Sequence, residues 1–324
     1  MGQFKKIVDI NKRKSSIPHK RKTIEKATED FLFRAKGKVK ESTFANYSFT
    51  SERHIIPYFK GVKLDEIDNE IINDFIDYKI QEGKLNGDPM SAKTVSDIVS
   101  LLIQIIKNHC QLDIDIDKPS CRQKEITIFT EIEYNKLKAF LLADMDNKKL
   151  GIIVTMLTGI RIGELCALKW GDIDLENETL FIDKTIQRIQ EVNNMKNKKT
   201  KIIIEPPKTS ASIRTIPLPQ TLLHKLKAFK TSDEKYLLTN TEKYIEPRVY
   251  QRHFKSYLEK CKIKDNKFHT TRHTFATMAI SRGMDIKTLS VLLGHSDVAF
   301  TMKRYVHPNI EHKKIQIEKI AVGF

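Results

Sequence analysis

"KLGIIVTMLTGIRIGEL", residues 149 to 165, changes character halfway along. Its first ten residues are apolar enough to predict a helix buried in a core rather than lying on a surface. Gly159 breaks that run, Arg161 follows at once, and Glu164 comes three residues later, within one helical turn. A charged pair at the end of a buried helix has two readings. It is a local ion pair of little consequence, or Glu164 orients a guanidinium whose fork can grip two phosphate oxygens.

Upstream of this stretch, Thr130 and Glu133 form a capping box for a helix through Leu142. Downstream, "TLFIDKTIQRI" (179–189), "KIIIEPP" (201–207) and "IRTIPL" (213–218) are β-branched runs bounded by polar turns, which predicts one three-stranded antiparallel sheet. The Lys/Asn patch 193–201 reads as a hairpin tip or insertion. From Pro247 the pattern is helical again, including a helix from Asp285 to Leu293 stopped by Gly294, and a terminal segment from Ile310. A domain therefore starts near residue 126.

The chain before it is organised differently. Ile24, Ala27, Phe31 and Leu32, then Phe44, Tyr47, Ile55 and Tyr58, then Ile71, Ile72, Phe75 and Ile76 fall on helical faces. Ser91 caps a fourth helix carrying Val95, Ile98, Leu101, Leu102, Ile105 and Ile106. The fold expected is mainly α with a small antiparallel β-sheet: a helical bundle over 23–118, a linker over 119–125 in "DIDIDKPSCRQKE", and a mixed domain over 126–318. Residues 1–22 carry eight Lys and Arg against the single acid Asp9, which reads as a basic arm that binds phosphates loosely or as a solvated tail.

Charge points the same way. Lys and Arg number 57 against 41 Asp and Glu, a formal net charge of +16 over 324 residues, so a polyanion is the expected partner, nucleic acid ahead of an anionic membrane. No stretch approaches the ~20 apolar residues that span a bilayer, and the N-terminus lacks a secretory signal, so a cytoplasmic, nucleoid-associated protein is expected. Cys110, Cys121, Cys166 and Cys261 form no C-x-x-C pair and read as reduced thiols. No phosphate-binding glycine loop occurs, which lowers the case for nucleotide-driven chemistry.

Three further stretches place polar groups where a simple core would not want them. "EPPKTSASIRTIPL" (205–218) puts Lys208 in the connection between two strands, a solvated turn residue or an ammonium delivered to a leaving oxygen. "FHTTRHTFATMAI" (268–280) sets His269 and Arg272 on one helical face with His273 beside them. Arg272 heading an apolar helix is explained by an anion. His269 and His273 are also spaced as a metal pair, but no third ligand is near and the surrounding cations would repel a metal. In "LLGHSD" (292–297), His295 follows the helix-ending Gly294 and either complements the helix dipole or acts on a substrate. Ten residues on comes Tyr305, whose phenol has an ordinary pKa near ~10 and needs help to act as a nucleophile. Transfer of a phosphodiester to a tyrosine oxygen uses this whole inventory. The cations neutralise phosphate charge as a metal does elsewhere, Lys208 protonates the departing 5′ oxygen, and no metal or nucleotide cofactor is called for.

The ordered, dispersed set "TGIRIGEL", the turn lysine before "SASIRTIPL", "HTTRHTFAT", "LLGHSD" and "TMKRYVH" resembles the tyrosine recombinases, the family of phage-type integrases, over roughly residues 23–318. The resemblance implies an N-terminal core-binding, SAM-like helical bundle and a mixed α/β catalytic domain. It also implies roles: Arg161, His269, Arg272 and His295 on the scissile phosphate, Lys208 as general acid, Tyr305 as nucleophile and Glu164 in support. The expected partners are double-stranded DNA with inverted-repeat core sites, a homotetramer that exchanges strands through a Holliday junction, and accessory DNA-bending or directionality factors. The amphipathic C-terminal segment 310–324, with Ile315, Ile317 and Ile320 available for a neighbour's groove, would link protomers or pack on its own domain. Many integrases begin with a folded arm-binding domain, for which the 22 residues before this bundle would be a short substitute. Lys93, Thr94 and Ser96 at the head of the fourth helix are candidates for DNA contact. Competing readings are a type IB topoisomerase that relaxes supercoils, and a DNA-binding regulator that keeps the fold without cutting.

Overall fold

The structure is a computed structural model that describes residues 22–83, 88–109, 115–120, 126–192, 199–207 and 209–305, with 314, 317, 318 and 321 beyond them. The basic arm up to Arg21, Cys110, Cys121, most of the C-terminal segment and Lys208 lie outside the described residues. The chain divides into two compact units, 1–124 together with 189–201, and 125–188 together with 202–324. The grouping of 189–201 with the helical unit was not anticipated. Among the described residues no helix is long and apolar enough to cross a membrane.

The first unit is built from α1 (Ile24–Ala35), α2 (Glu41–Thr50), α3 (Asn69–Glu82) and α4 (Ala92–Lys107). Local chemistry sets their starts: the side chains of Thr23, Asp68 and Ser91 accept from the backbone N–H groups of Lys26, Ile71 and Thr94. Ile24, Phe31, Ile55, Phe59, Phe75, Val95, Leu102 and Ile105 meet in one core, with the Phe59 and Phe75 rings 5.0 Å apart.

The second unit opens with α5 (Glu131–Ala143), started by the Thr130–Glu133 capping box. Next comes α6 (Asn147–Thr158), buried along most of its length and ended by Gly159 in the left-handed conformation at φ 67°. α7 (Ile162–Ala167) follows, then β1 (Ile173–Asp174), β2 (Thr179–Ile182), β3 (Thr185–Gln190) and β4 (Thr200–Glu205), whose ends at 189–190 and 200–201 fall in the first unit, and β5 (Arg214–Pro217). Among the described residues it continues with α8 (Gln220–Phe229), α9 (Pro247–Lys260), α10 (His269–Ser281), α11 (Ile286–Leu293) and α12 (Val298–Tyr305). α6 packs against α10, and α11 against α12.

The single three-stranded sheet expected from the three β-branched runs is not what forms. β2 lies between β1 and β5 in one antiparallel sheet, while β3 and β4 pair separately. The run 179–189 is cut at Asp183–Lys184, where Lys184 pairs with Asp172 at 2.6 Å and with Asp183 at 3.2 Å. That leaves Leu180 and Ile182 facing the core opposite Ile216 and Arg214 of β5.

Candidate active site

The site is organised by the C-terminus of α11. Asp285 caps the start of this helix and Gly294, at φ 64°, ends it. The last carbonyls of a helix have no partner within it and form the negative end of its dipole. Here guanidinium groups from three elements meet them: Arg214 Nε donates to Leu292 O at 2.6 Å, Arg272 Nη2 to Leu293 O at 2.7 Å and Arg161 Nη2 to Gly294 O at 3.3 Å. Ser212 Oγ also donates to Gly294 O, at 3.2 Å. Arg272 reaches back as well, from Nη1 to the carbonyl of the Gly159 turn at 2.8 Å.

Glu164 ties two of these arginines together. Its carboxylate, in a residue only 3% exposed, accepts from Arg161 Nη1 at 2.8 Å and from Arg214 Nη2 and Nη1 at 2.9 and 3.2 Å. It also accepts from its own helix's first backbone N–H, that of Arg161. Burial alone would raise this carboxyl, but the Arg214 hydrogen bonds and the charges of Arg214 and Arg161 hold it below its ordinary range. Three guanidinium groups against one carboxylate leave the pocket positive. Arg272 is 1% exposed, and burial presses it down to about 9, which still leaves it charged at neutral pH. The Arg161 side chain is 35% exposed, so it is the arginine an incoming anion meets first.

His295 Nε2 lies 2.9 Å from Arg272 Nη2 and its Nδ1 2.8 Å from Thr301 Oγ1. A guanidinium has no acceptor, so Nε2 must accept and Nδ1–H donates to the threonine. His273 Nδ1 is 2.8 Å from the Tyr305 hydroxyl, and His269 stands edge-on to His273 with ring centroids 4.4 Å apart. Burial first, and nearby arginines second, push His273 and His295 down to about 4. His269 is exposed as a residue, but burial of its ring and then the charges of His273 and Arg272 lower it as well. All three are neutral at pH 7. Tyr305 sits at the end of α12 with its ring among Ala276, Ala279, Leu289 and Leu293. Burial raises its phenol, opposed by Arg272, Arg304 and Arg161.

The fold thus brings Arg161, Glu164, Arg272, His295 and Tyr305 into one cluster, and His269 reaches it through the ring of His273. Lys208 is not described, but its neighbour Thr209 contacts Ser212, which binds Gly294 O. Lys93, Thr94 and Ser96 belong to the other unit: Lys93 pairs with Asp97 at 2.6 Å and Thr94 shares a hydrogen bond with the cap Ser91. Among the described residues, no three His, Cys, Asp or Glu side chains gather as a metal site would require. Sequence reasoning passed over Arg214, Thr301 and the contact of His273 with the phenol. Arg214 carried a signal, since it alternates with Ile216 at an inward position of "IRTIPL".

Comparison with known families bears on this geometry. The Phage integrase family model matches residues 128–312, more than half the chain, and the Phage integrase, N-terminal SAM-like domain model matches 23–80. The chain belongs to the phage integrase family. Among its relatives, a tyrosine recombinase XerC-like protein of Caldanaerobacter subterraneus is 29% identical over 269 residues, covering 78% of this chain and 64% of that protein. The ICEBs1 integrase of Bacillus subtilis is 23% identical over 304 residues, covering 87% of this chain and 78% of the integrase. The transposase from transposon Tn916 of Enterococcus faecalis is 28% identical over 216 residues, 60% of this chain and 51% of the transposase. This integrase-family chain therefore spans between about half and four fifths of those relatives' lengths. In fold it is similar to the Tn1549 transposon integrase in complex with transposon right end DNA, with a TM-score of 0.72 at 20% identity, covering 92% of this chain and 99% of that one. It is also similar to a lambda integrase tetramer bound to a Holliday junction, with a TM-score of 0.60 at 17% identity, over 90% of this chain and 80% of that one.

Proposed function

We propose that the chain is a site-specific DNA recombinase that cuts and rejoins duplex DNA through a covalent 3′-phosphotyrosine. The observation that carries this reading is the Tyr305 hydroxyl, hydrogen-bonded to His273 and adjoining Arg272 within a pocket of three arginines. Tyr305 attacks the scissile phosphorus, the bond to the 5′ oxygen breaks, and Lys208 gives that oxygen its proton. Arg161 and Arg272 bind the non-bridging oxygens, whose charge builds in the transition state. Arg272 is bound to Gly159 O, Leu293 O and His295, which fixes its guanidinium beside the Tyr305 hydroxyl without reorganisation. His295 holds Arg272, Glu164 holds Arg161, and His269 buttresses His273. Because the phosphotyrosine conserves the energy of the diester, another strand's 5′ hydroxyl reverses the step without ATP.

On this reading, residues 23–118 bind the core site, 126–318 carry the chemistry, and 310–324 link protomers. The partner is duplex DNA with inverted-repeat core sites, engaged by a homotetramer in the cytoplasm that passes through a Holliday junction, with DNA-bending or directionality factors, during integration or excision of a mobile element. The related proteins named for transposons and an integrative element, and the lambda integrase tetramer on a junction, support this assignment. The test is a nicked suicide duplex, on which the wild-type chain should form a 3′-phosphotyrosyl adduct. Tyr305→Phe should bind the same DNA and form none; an adduct persisting in that variant refutes the assignment.

A further inference from the structure

We propose that His273 is the catalytic base of the cleavage step: its Nδ1 takes the phenolic proton of Tyr305 as the tyrosine oxygen bonds to phosphorus. This rests on the recombinase reading above. The Nδ1 nitrogen lies 2.8 Å from the phenol oxygen, inside the range a proton crosses directly. The other candidates are occupied. Glu164 is shared between Arg161 and Arg214, and His295 Nε2 accepts from Arg272. His269 stands edge-on to the ring of His273, whereas the hydrogen bond to the phenol is made by His273.

The charged groups around His273 suit the assignment. His269 and Arg272 flank it on α10, Tyr305 and Arg304 face it from α12, and His295 lies beyond. Burial first, and then the charges of Arg304 and Arg272, keep the resting imidazole neutral, so Nδ1 can accept. A phosphate diester bound by Arg161 and Arg272 offsets those cations, which raises the basicity of the imidazole when the substrate is in place. The step balances: the proton passes from Tyr305 Oη to His273 Nδ1, the O–P bond forms, the P–O5′ bond breaks, and the departing oxygen takes its proton from a separate acid. In rejoining, His273 returns the proton to the phenol.

The experiment measures single-turnover adduct formation by the full chain on a nicked suicide duplex, made with either an ordinary 5′ oxygen or a bridging sulfur at the scissile phosphate. His273→Asn keeps an acceptor near the Nδ1 position but cannot hold the proton, and should slow cleavage by about 10²-fold or more at unchanged DNA affinity. The defect should persist with the sulfur leaving group, which needs no acid, whereas that of Lys208→Ala should be relieved. As a measure independent of the variant's folding, ¹⁵N NMR of the wild-type chain at pH 7 should find His273 Nδ1 unprotonated and hydrogen-bonded, with the signal changed in Tyr305→Phe. A protonated Nδ1, a cleavage rate in His273→Asn within about threefold of wild type, or a defect erased by sulfur overturns the assignment while leaving the recombinase reading intact. A wild-type chain that forms no adduct at Tyr305 overturns both.

Discussion

Removing Arg214 should damage the fold before it touches chemistry. The side chain lies in a residue 6% exposed and makes two charge-assisted hydrogen bonds to Glu164, at 2.9 and 3.2 Å. It also donates to Leu292 O at 2.6 Å and to Ser212 O at 2.9 Å. Arg214→Ala leaves a carboxylate that is 3% exposed with Arg161 as its remaining cation, and takes the donor from a helix-terminal carbonyl. Breaking a buried ion pair from one side costs about 3–5 kcal/mol. Because Glu164 retains Arg161, the lower end applies, about 3 kcal/mol, or a fall of roughly 6–12 °C in the melting temperature of a unit this size. Arg214→Lys should recover little, since an ammonium cannot span both carboxylate oxygens and Leu292 O together. Urea unfolding of wild type, Arg214→Met, Glu164→Gln and the double variant gives a double-mutant cycle, with a coupling of about 2 kcal/mol expected. A loss below about 1 kcal/mol in Arg214→Ala, or additive single variants, would show that the pair is solvated and the reasoning wrong.

Two more perturbations probe the same cluster. A Cβ at Gly163 would collide with Thr185 Oγ1 and lie 2.8 Å from Ile186 O, so Gly163→Ala should cost about 1–3 kcal/mol and displace the Arg161–Glu164 turn. The check is a lower urea midpoint together with slower adduct formation. On acidification, His273 and His295 at about 4, and His269 below its ordinary value, take up protons later than they would unfolded, near 6.5. Their contribution to stability is complete above pH 6.5 and is lost as pH falls toward 4, so the urea midpoint should begin to drop near pH 6.5, and by less in His273→Asn. A midpoint constant down to pH 5 would mean these imidazoles titrate normally.

What could be read from sequence follows the range of the forces involved. The starts of α4, α5 and α11 were legible because Ser91, the Thr130–Glu133 box and Asp285 act within one turn. The split of the sheet was not, because which strands pair is set by partners distant in sequence, β2 with β5 and β3 with β4. Within the site, Arg161 and Arg272 stood out as charges beside apolar runs, and Tyr305 as the hydroxyl the rest of the set could serve. Arg214 did not, because its partner Glu164 is fifty positions away and only alternation marks it as inward. His269 and His273 share one turn of α10, and which imidazole meets the phenol is decided by where α12 docks, a tertiary matter. The end of α11 explains why arginines so distant in sequence converge. Its three terminal carbonyls need donors, and each takes one from a different arginine, so the bonds that satisfy the helix also fix guanidinium groups that would otherwise repel one another. Satisfying those carbonyls therefore sets the positions of all three guanidinium groups relative to Glu164 and Tyr305.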